Sequence, residues 1–144
     1  MMKIRQWTKE DIDVLAKMEE RCFKDPWTKE MLEDTLRYPI YNCFLAEEGG
    51  QVCGYCCLIT VCEDAEVGNI AVDEPFRGRG IAQELMQAMH DRAKEKGATE
   101  CFLEVRVSNA PAIALYQKFG YESYGIRAKY YEDGEDALVM KKAL

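Results

Sequence analysis

The sequence predicts a mixed α/β fold over residues 1–144 as one domain: a central sheet of about seven strands, mostly antiparallel, with four flanking helices. Two observations carry this. Apolar runs of strand length, punctuated by Gly-Gly and acidic turns, fill residues 41–72, and a strand, a glycine-punctuated loop, a helix and a further strand follow over 69–107. The first pattern reads as an antiparallel meander and the second as a right-handed parallel crossover.

Taken in order, Lys3 to Trp7 reads as a short strand. Thr8 with Asp11 three residues on resembles a capping box, and Ile12, Leu15, Ala16 and Glu19 follow at helical spacing, so a helix runs to about Cys22. Pro26 breaks it, Thr28 caps a second helix over Lys29 to Leu36, and Tyr38 and Pro39 end that one. Strands over Tyr41 to Glu48 and Gln51 to Cys62 meet at Gly49 and Gly50, and Ala65 to Val72 is a third. The helix from Gly80 to Lys96 carries Ile81, Leu85, Ala88 and Met89 along one stripe, which puts His90 about 180° from Ile81 and predicts that it is exposed. Glu100 to Val107 is the next strand, Ala110 to Phe119 a helix stopped by Gly120, and Tyr121 to Tyr130 with Asp136 to Lys141 a closing hairpin.

The composition, 48% hydrophobic and 31% charged, is that of an ordinary globular protein and not of a disordered chain. No apolar run reaches the roughly 18 residues a membrane span needs, and the first residues lack a signal-peptide core, so a cytoplasmic protein without membrane attachment is expected. A net charge of −7 argues against direct nucleic-acid binding and suits a basic partner. Seven cysteines cannot all pair. Cys53, Cys56, Cys57 and Cys62 have part of a zinc spacing, but they lie within one continuous apolar strand, so no metal is expected and small buried side chains are.

The loop Arg77-Gly-Arg-Gly-Ile-Ala82 opens the long helix, where amides without partners and two glycines can hold an anion, with Arg77 and Arg79 beside it. Read from these residues alone, a phosphate cradle and a plain strand-to-helix connection both stand. A nucleotide P-loop is excluded by the missing Gly-Lys-Ser/Thr, and a dinucleotide fingerprint by the missing third glycine.

The run Val72 to Ala82 resembles the acetyl-CoA signature of the GCN5-related N-acetyltransferases, with Arg77, Gly80 and Ala82 at its fixed positions. Ala82 stands where many members have Gly, and Arg77 where many have Gln. Leu103-Glu-Val-Arg, Ser108-Asn109, Ala114-Leu-Tyr116, Asn69-Ile-Ala-Val-Asp73, Pro26-Trp27 and Tyr130-Tyr131 are similar to the RimI branch of that family. The resemblance implies acetyl-CoA as cosubstrate, held by Ile70, Ala71, Val72, Asn109 and Arg77, Gly78, Arg79, Gly80, Ile81 and Ala82, with no metal. It implies direct transfer to the N-terminal alanine of the eighteenth small-subunit ribosomal protein, a basic partner. Trp27, Tyr130 and Tyr131 are then expected to hold the acceptor peptide. Other protein N-termini, lysines or small amines are alternative acceptors, and a non-catalytic acetyl-CoA sensor is the alternative outside enzymes.

Transfer from a thioester needs a neutral amine and a proton for the departing thiolate. An α-amine with pKa of about 7.7–8.0 is roughly one-tenth neutral at pH 7, so a modest base suffices. Glu104 is the candidate base, unless it simply pairs with Arg106 two residues along the same strand face. The resemblance points the Tyr116 hydroxyl at the CoA sulfur and makes it the candidate acid, a role a phenol that keeps its proton at neutral pH can fill; its alternative is a packed core tyrosine. Asn109 can serve the pantetheine arm, cap its helix, or both.

Overall fold

A computed structural model describes residues 2–144. Seven strands, β1 (Met2–Gln6), β2 (Tyr41–Glu48), β3 (Gln51–Val61), β4 (Asp64–Val72), β5 (Glu100–Arg106), β6 (Glu122–Arg127) and β7 (Ala137–Ala143), form one sheet in the order β1-β2-β3-β4-β5-β7-β6. Only β4 and β5 pair in parallel. The helices are α1 (Ile12–Cys22), α2 (Lys29–Asp34), α3 (Ile81–Glu95) and α4 (Ala110–Lys118).

The strands alternate as the sheet requires, and the alternation divides the core in two. Phe44, Ala46, Cys56 and Leu58 point to the side covered by α3 and α4, where Leu85, Met86, Met89 and Tyr116 are buried. Cys43, Leu45, Tyr55 and Cys57 point to the other side, where Trp7, Leu15 and Met18 meet Leu32 of α2. Cys53, Cys56, Cys57, Cys43 and Cys101 are buried, and Cys62 is exposed beyond the end of β3.

Thr8 precedes a 3₁₀ turn over Lys9–Asp11, and its N–H donates to the Asp11 carboxylate at 2.8 Å, so the box predicted from sequence opens on a tighter turn before α1 begins. α2 ends two residues before the expected Leu36, because Leu36 and Arg37 turn back on Glu33 and Asp34 by i→i+3 bonds.

His90 is buried, not exposed, at 3% accessibility. The buried face of α3 takes in Leu85, Met86, Met89 and Ala93, so Ile81 and His90 are the two edges of one broad face rather than opposite sides. The His90 Nε2 lies 2.7 Å from the Tyr121 hydroxyl, which in turn donates to Cys101 Sγ at 3.1 Å. Burial, with Lys142 and Lys94 close by, pulls the imidazole down to about 4, so it is neutral at physiological pH.

β4 pairs with β5 over four residues only, from Asp64↔Glu100 to Val67↔Leu103. Gly68, the next residue, is left out of the β3 register, which steps from Leu58↔Val67 to Cys57↔Asn69. Beyond this bulge β4 stays on β3 while β5 stays on β7, and a gap opens between the strands.

Gly54 lies opposite Val72 on the β3 side of that gap. A methyl group there would come within 2.8 Å of the Ala71 carbonyl oxygen, which is backbone and cannot swing away. Gly54→Ala is expected to lower stability by about 1–3 kcal/mol in thermal or urea unfolding. Gly125→Ala, which meets nothing within 4 Å, should stay within about 0.5 kcal/mol of the parent.

Candidate active site

The gap between β4 and β5 is the floor of a cleft of about 320 Å³. Its walls come from β4, β5, the start of α4, the α1–α2 loop and the β6–β7 loop. Of the residues singled out in the sequence, Trp27, Ile70, Glu104, Asn109, Tyr116, Tyr130 and Tyr131 line it together. Ala71, Val72 and the loop Arg77 to Ala82 do not; they continue from the same strand to the exposed entrance of α3.

Gly78 and Gly80 both take left-handed backbone conformations, with φ of +82° and +81°. An added Cβ at Gly78 would meet nothing, but an L side chain there would be strained. Gly80 is the N-cap of α3, and among the described residues no side-chain cap bonds to the first amides of the helix. The two arginines are already engaged. Arg77 turns back to donate from Nε to the Val72 carbonyl at 2.9 Å, and Arg79 lies over the Phe76 ring and 3.5 Å from Glu48.

Asn109 caps α4 by accepting the Ala112 N–H at 3.3 Å, and it also lines the cleft. Tyr116 sits on the same helix, 7% exposed, and burial pushes its phenol up to about 12. Its ring packs edge-on against Tyr121, with 6.0 Å between centroids. At any physiological pH it carries its proton into the cleft.

Glu104 does not pair with Arg106. It forms an ion pair with Arg127, Nε to Oε1 at 3.2 Å, while Arg106 is held elsewhere by three other carboxylates. Facing Glu104 is Glu66 of β4, a residue the sequence reading passed over. Burial first, and the neighbouring Glu104 second, push the Glu66 carboxyl up to about 7. The signal was present: Glu66 pairs with Phe102 across the parallel ladder, so the even-numbered residues of both strands share one face.

Glu19 of α1 was also read only as part of a helical stripe. It is fully buried under the cleft, where its carboxylate accepts from the Trp27 N–H at 2.7 Å, from the Asn69 side-chain amide and from the Tyr55 hydroxyl. Burial raises its pKa, and the three donors oppose that rise. One buried carboxyl thus ties the α1–α2 loop to the strand that floors the cleft.

The family model for the acetyltransferase (GNAT) family matches residues 12–121 of the chain. The chain belongs to that family. A Bacillus subtilis protein described as a putative ribosomal protein bS18-alanine N-acetyltransferase is 41% identical over 95% of this chain and 92% of its own length. The crystal structure of the ribosomal-protein-S18-alanine N-acetyltransferase from Escherichia coli superposes with a TM-score of 0.91 at 30% identity, covering 99% of this chain and 94% of that one. Ard1 from Thermoplasma volcanium superposes at 0.92 with 26% identity, over 99% and 97% of the two chains. The mixed seven-stranded sheet with its four helices is the fold of these acetyltransferases.

The Glu66 shift carries a stability consequence of definite sign. A carboxyl whose folded pKa lies above its ordinary 4.5 favours the protonated form, so its contribution is full below about 4.5 and is lost as pH rises towards 7. Glu66→Gln should match the parent in thermal stability near pH 4. Above pH 7 it should exceed the parent by on the order of 1–2 kcal/mol, discounted for the half-exposed position.

Proposed function

We propose that this protein is a single-domain cytoplasmic enzyme that transfers the acetyl group of acetyl-CoA to the N-terminal alanine of the eighteenth small-subunit ribosomal protein. The observation that carries the reading is the gap between β4 and β5, with Glu104 on one side of it and Tyr116 on the other.

Acetyl-CoA supplies the activated acyl group. The residues present fit it: Ile70 to Val72 lie beyond the last β4–β5 pair, so their open edge can accept an extended pantetheine chain as a further strand would be accepted. The amides from Gly78 to Ala82, free of side-chain caps at the start of α3, suit its pyrophosphate, and Asn109 lies beside the path between the two ends.

On the acceptor side, Trp27, Tyr130 and Tyr131 wall the cleft around a peptide end. Glu104, through a water or directly, takes a proton from the α-ammonium group. The neutral amine attacks the thioester carbonyl and the carbon–sulfur bond breaks. Tyr116, protonated and sheltered, gives its proton to the departing thiolate, and the second proton of the amine, released as the amide forms, restores the phenol. The overall charge of −7 suits a basic ribosomal tail and disfavours direct contact with nucleic acid or an acidic membrane surface.

Purified protein offered acetyl-CoA with a panel of amines tests the substrate. Ala-Arg-Tyr-Phe peptides should be acetylated in preference to lysine peptides and polyamines, and the reverse order would remove the N-terminal assignment while leaving the family intact. Tyr116→Phe should lower kcat roughly a hundredfold with acetyl-CoA affinity unchanged, measured by thiol release and by calorimetry. Glu104→Gln should slow the enzyme most at low pH, where loss of the amine's proton limits; a uniform loss across the pH range would take the base role from it.

A further inference from the structure

Arg106 stands at the mouth of the acceptor cleft with its side chain only 18% exposed. It reaches in two directions. Its Nη2 donates to Asp25 in the α1–α2 loop at 3.0 Å, while Nη1 donates to Asp133 at 2.9 Å and Glu135 at 3.0 Å in the β6–β7 loop. The guanidinium also lies 4.0 Å from the centre of the Tyr131 ring.

The second loop is knitted further around Glu135, whose carboxylate accepts from the Ser108 N–H at 2.9 Å and whose carbonyl accepts from the Tyr131 N–H at 3.2 Å. Neither loop is helix or strand, so neither wall is held by a regular backbone ladder. With three carboxylates around it, the guanidinium's charge is locally outweighed, so the cluster does not favour an anionic substrate group. A planar fork is needed for this task, since a single ammonium cannot span both loops and stack on a ring as well.

We propose that Arg106 is a positioning residue for the acceptor, clasping the α1–α2 loop to the β6–β7 loop and so setting the width of the cleft through which the α-amine reaches Glu104. It touches none of the reacting atoms. The clasp acts through Asp25 on the Trp27 side and through Asp133, Glu135 and Tyr131 on the other. The proposal rests on reading this cleft as the acceptor site, as above.

Arg106→Gln should raise the peptide KM about tenfold or more while kcat falls by no more than about threefold and the acetyl-CoA KM stays unchanged. Arg106→Lys should fall between the parent and the Gln variant. Asp25→Asn, which frees one loop only, should give a smaller rise in KM and add nothing to Arg106→Gln in the double variant, because both break the same link. Hydrogen exchange, which needs no turnover, should quicken in 23–27 and 130–135 together in Arg106→Gln, but in 23–27 alone in Asp25→Asn.

A kcat loss with unchanged peptide KM would place Arg106 in the chemistry and overturn the proposal. So would a parallel rise in the acetyl-CoA KM, full additivity of the two substitutions, or exchange that quickens in neither loop. Failure of the functional reading shows separately, in the parent enzyme, as preference for lysine or a polyamine; the same KM split is then measured with that amine.

Discussion

The parting of β4 from β5 after Val67 and Leu103 is the constraint on which the other features depend. Strands in a sheet are normally locked by their ladder, and each unpaired backbone group buried without a partner is costly. Here Gly68 leaves the register and lets one strand follow β3 while the other follows β7. The exposed edge that results is useful because it holds free backbone groups in a fixed direction. Its cost is limited because past the opening β4 stays paired with β3 from Asn69 to Val72, and β5 stays paired with β7 to Arg106.

Around that opening the chain places its ionisable groups in contrasting surroundings. Tyr116 is shielded by Tyr121 and stays protonated. Glu104 is partnered by Arg127, whereas burial and the neighbouring Glu104 push the Glu66 carboxyl up to about 7. Glu19, deeper still, serves no exchange with solvent and acts as a fastening for Asn69 and the Trp27 loop. Three carboxyls within one cleft region thus differ through burial and partners rather than through residue type.

Much of this was legible in the sequence because it is local. Thr28 caps its helix, and Gly49 and Gly50 turn their hairpin. The crossover from β4 through α3 to β5 followed from element order alone. What escaped was set by register and by the width of packing. His90 was misplaced because a stripe drawn from Ile81 underestimates how much of α3 a wide sheet covers. Glu66 and Glu19 are polar residues within apolar patterns, and only the pairing of β4 with β5, and of α1 with the sheet, brings them to the cleft. The ties from Arg106 to Asp25 and Asp133 span 81 and 27 residues, distances over which one chain shows no periodic signal.

The short parallel ladder also divides the molecule mechanically. On one side of it β1 to β4 form a continuous antiparallel meander, and on the other β5, β7 and β6 form a second antiparallel block. Within the sheet itself, four residue pairs join the two. This is the shortest ladder in the sheet, so its backbone bonds hold the two blocks together least there. Breathing there would widen or narrow the reactive cleft while leaving each block's own ladder whole, and a molecule lying across both blocks would act as a splint.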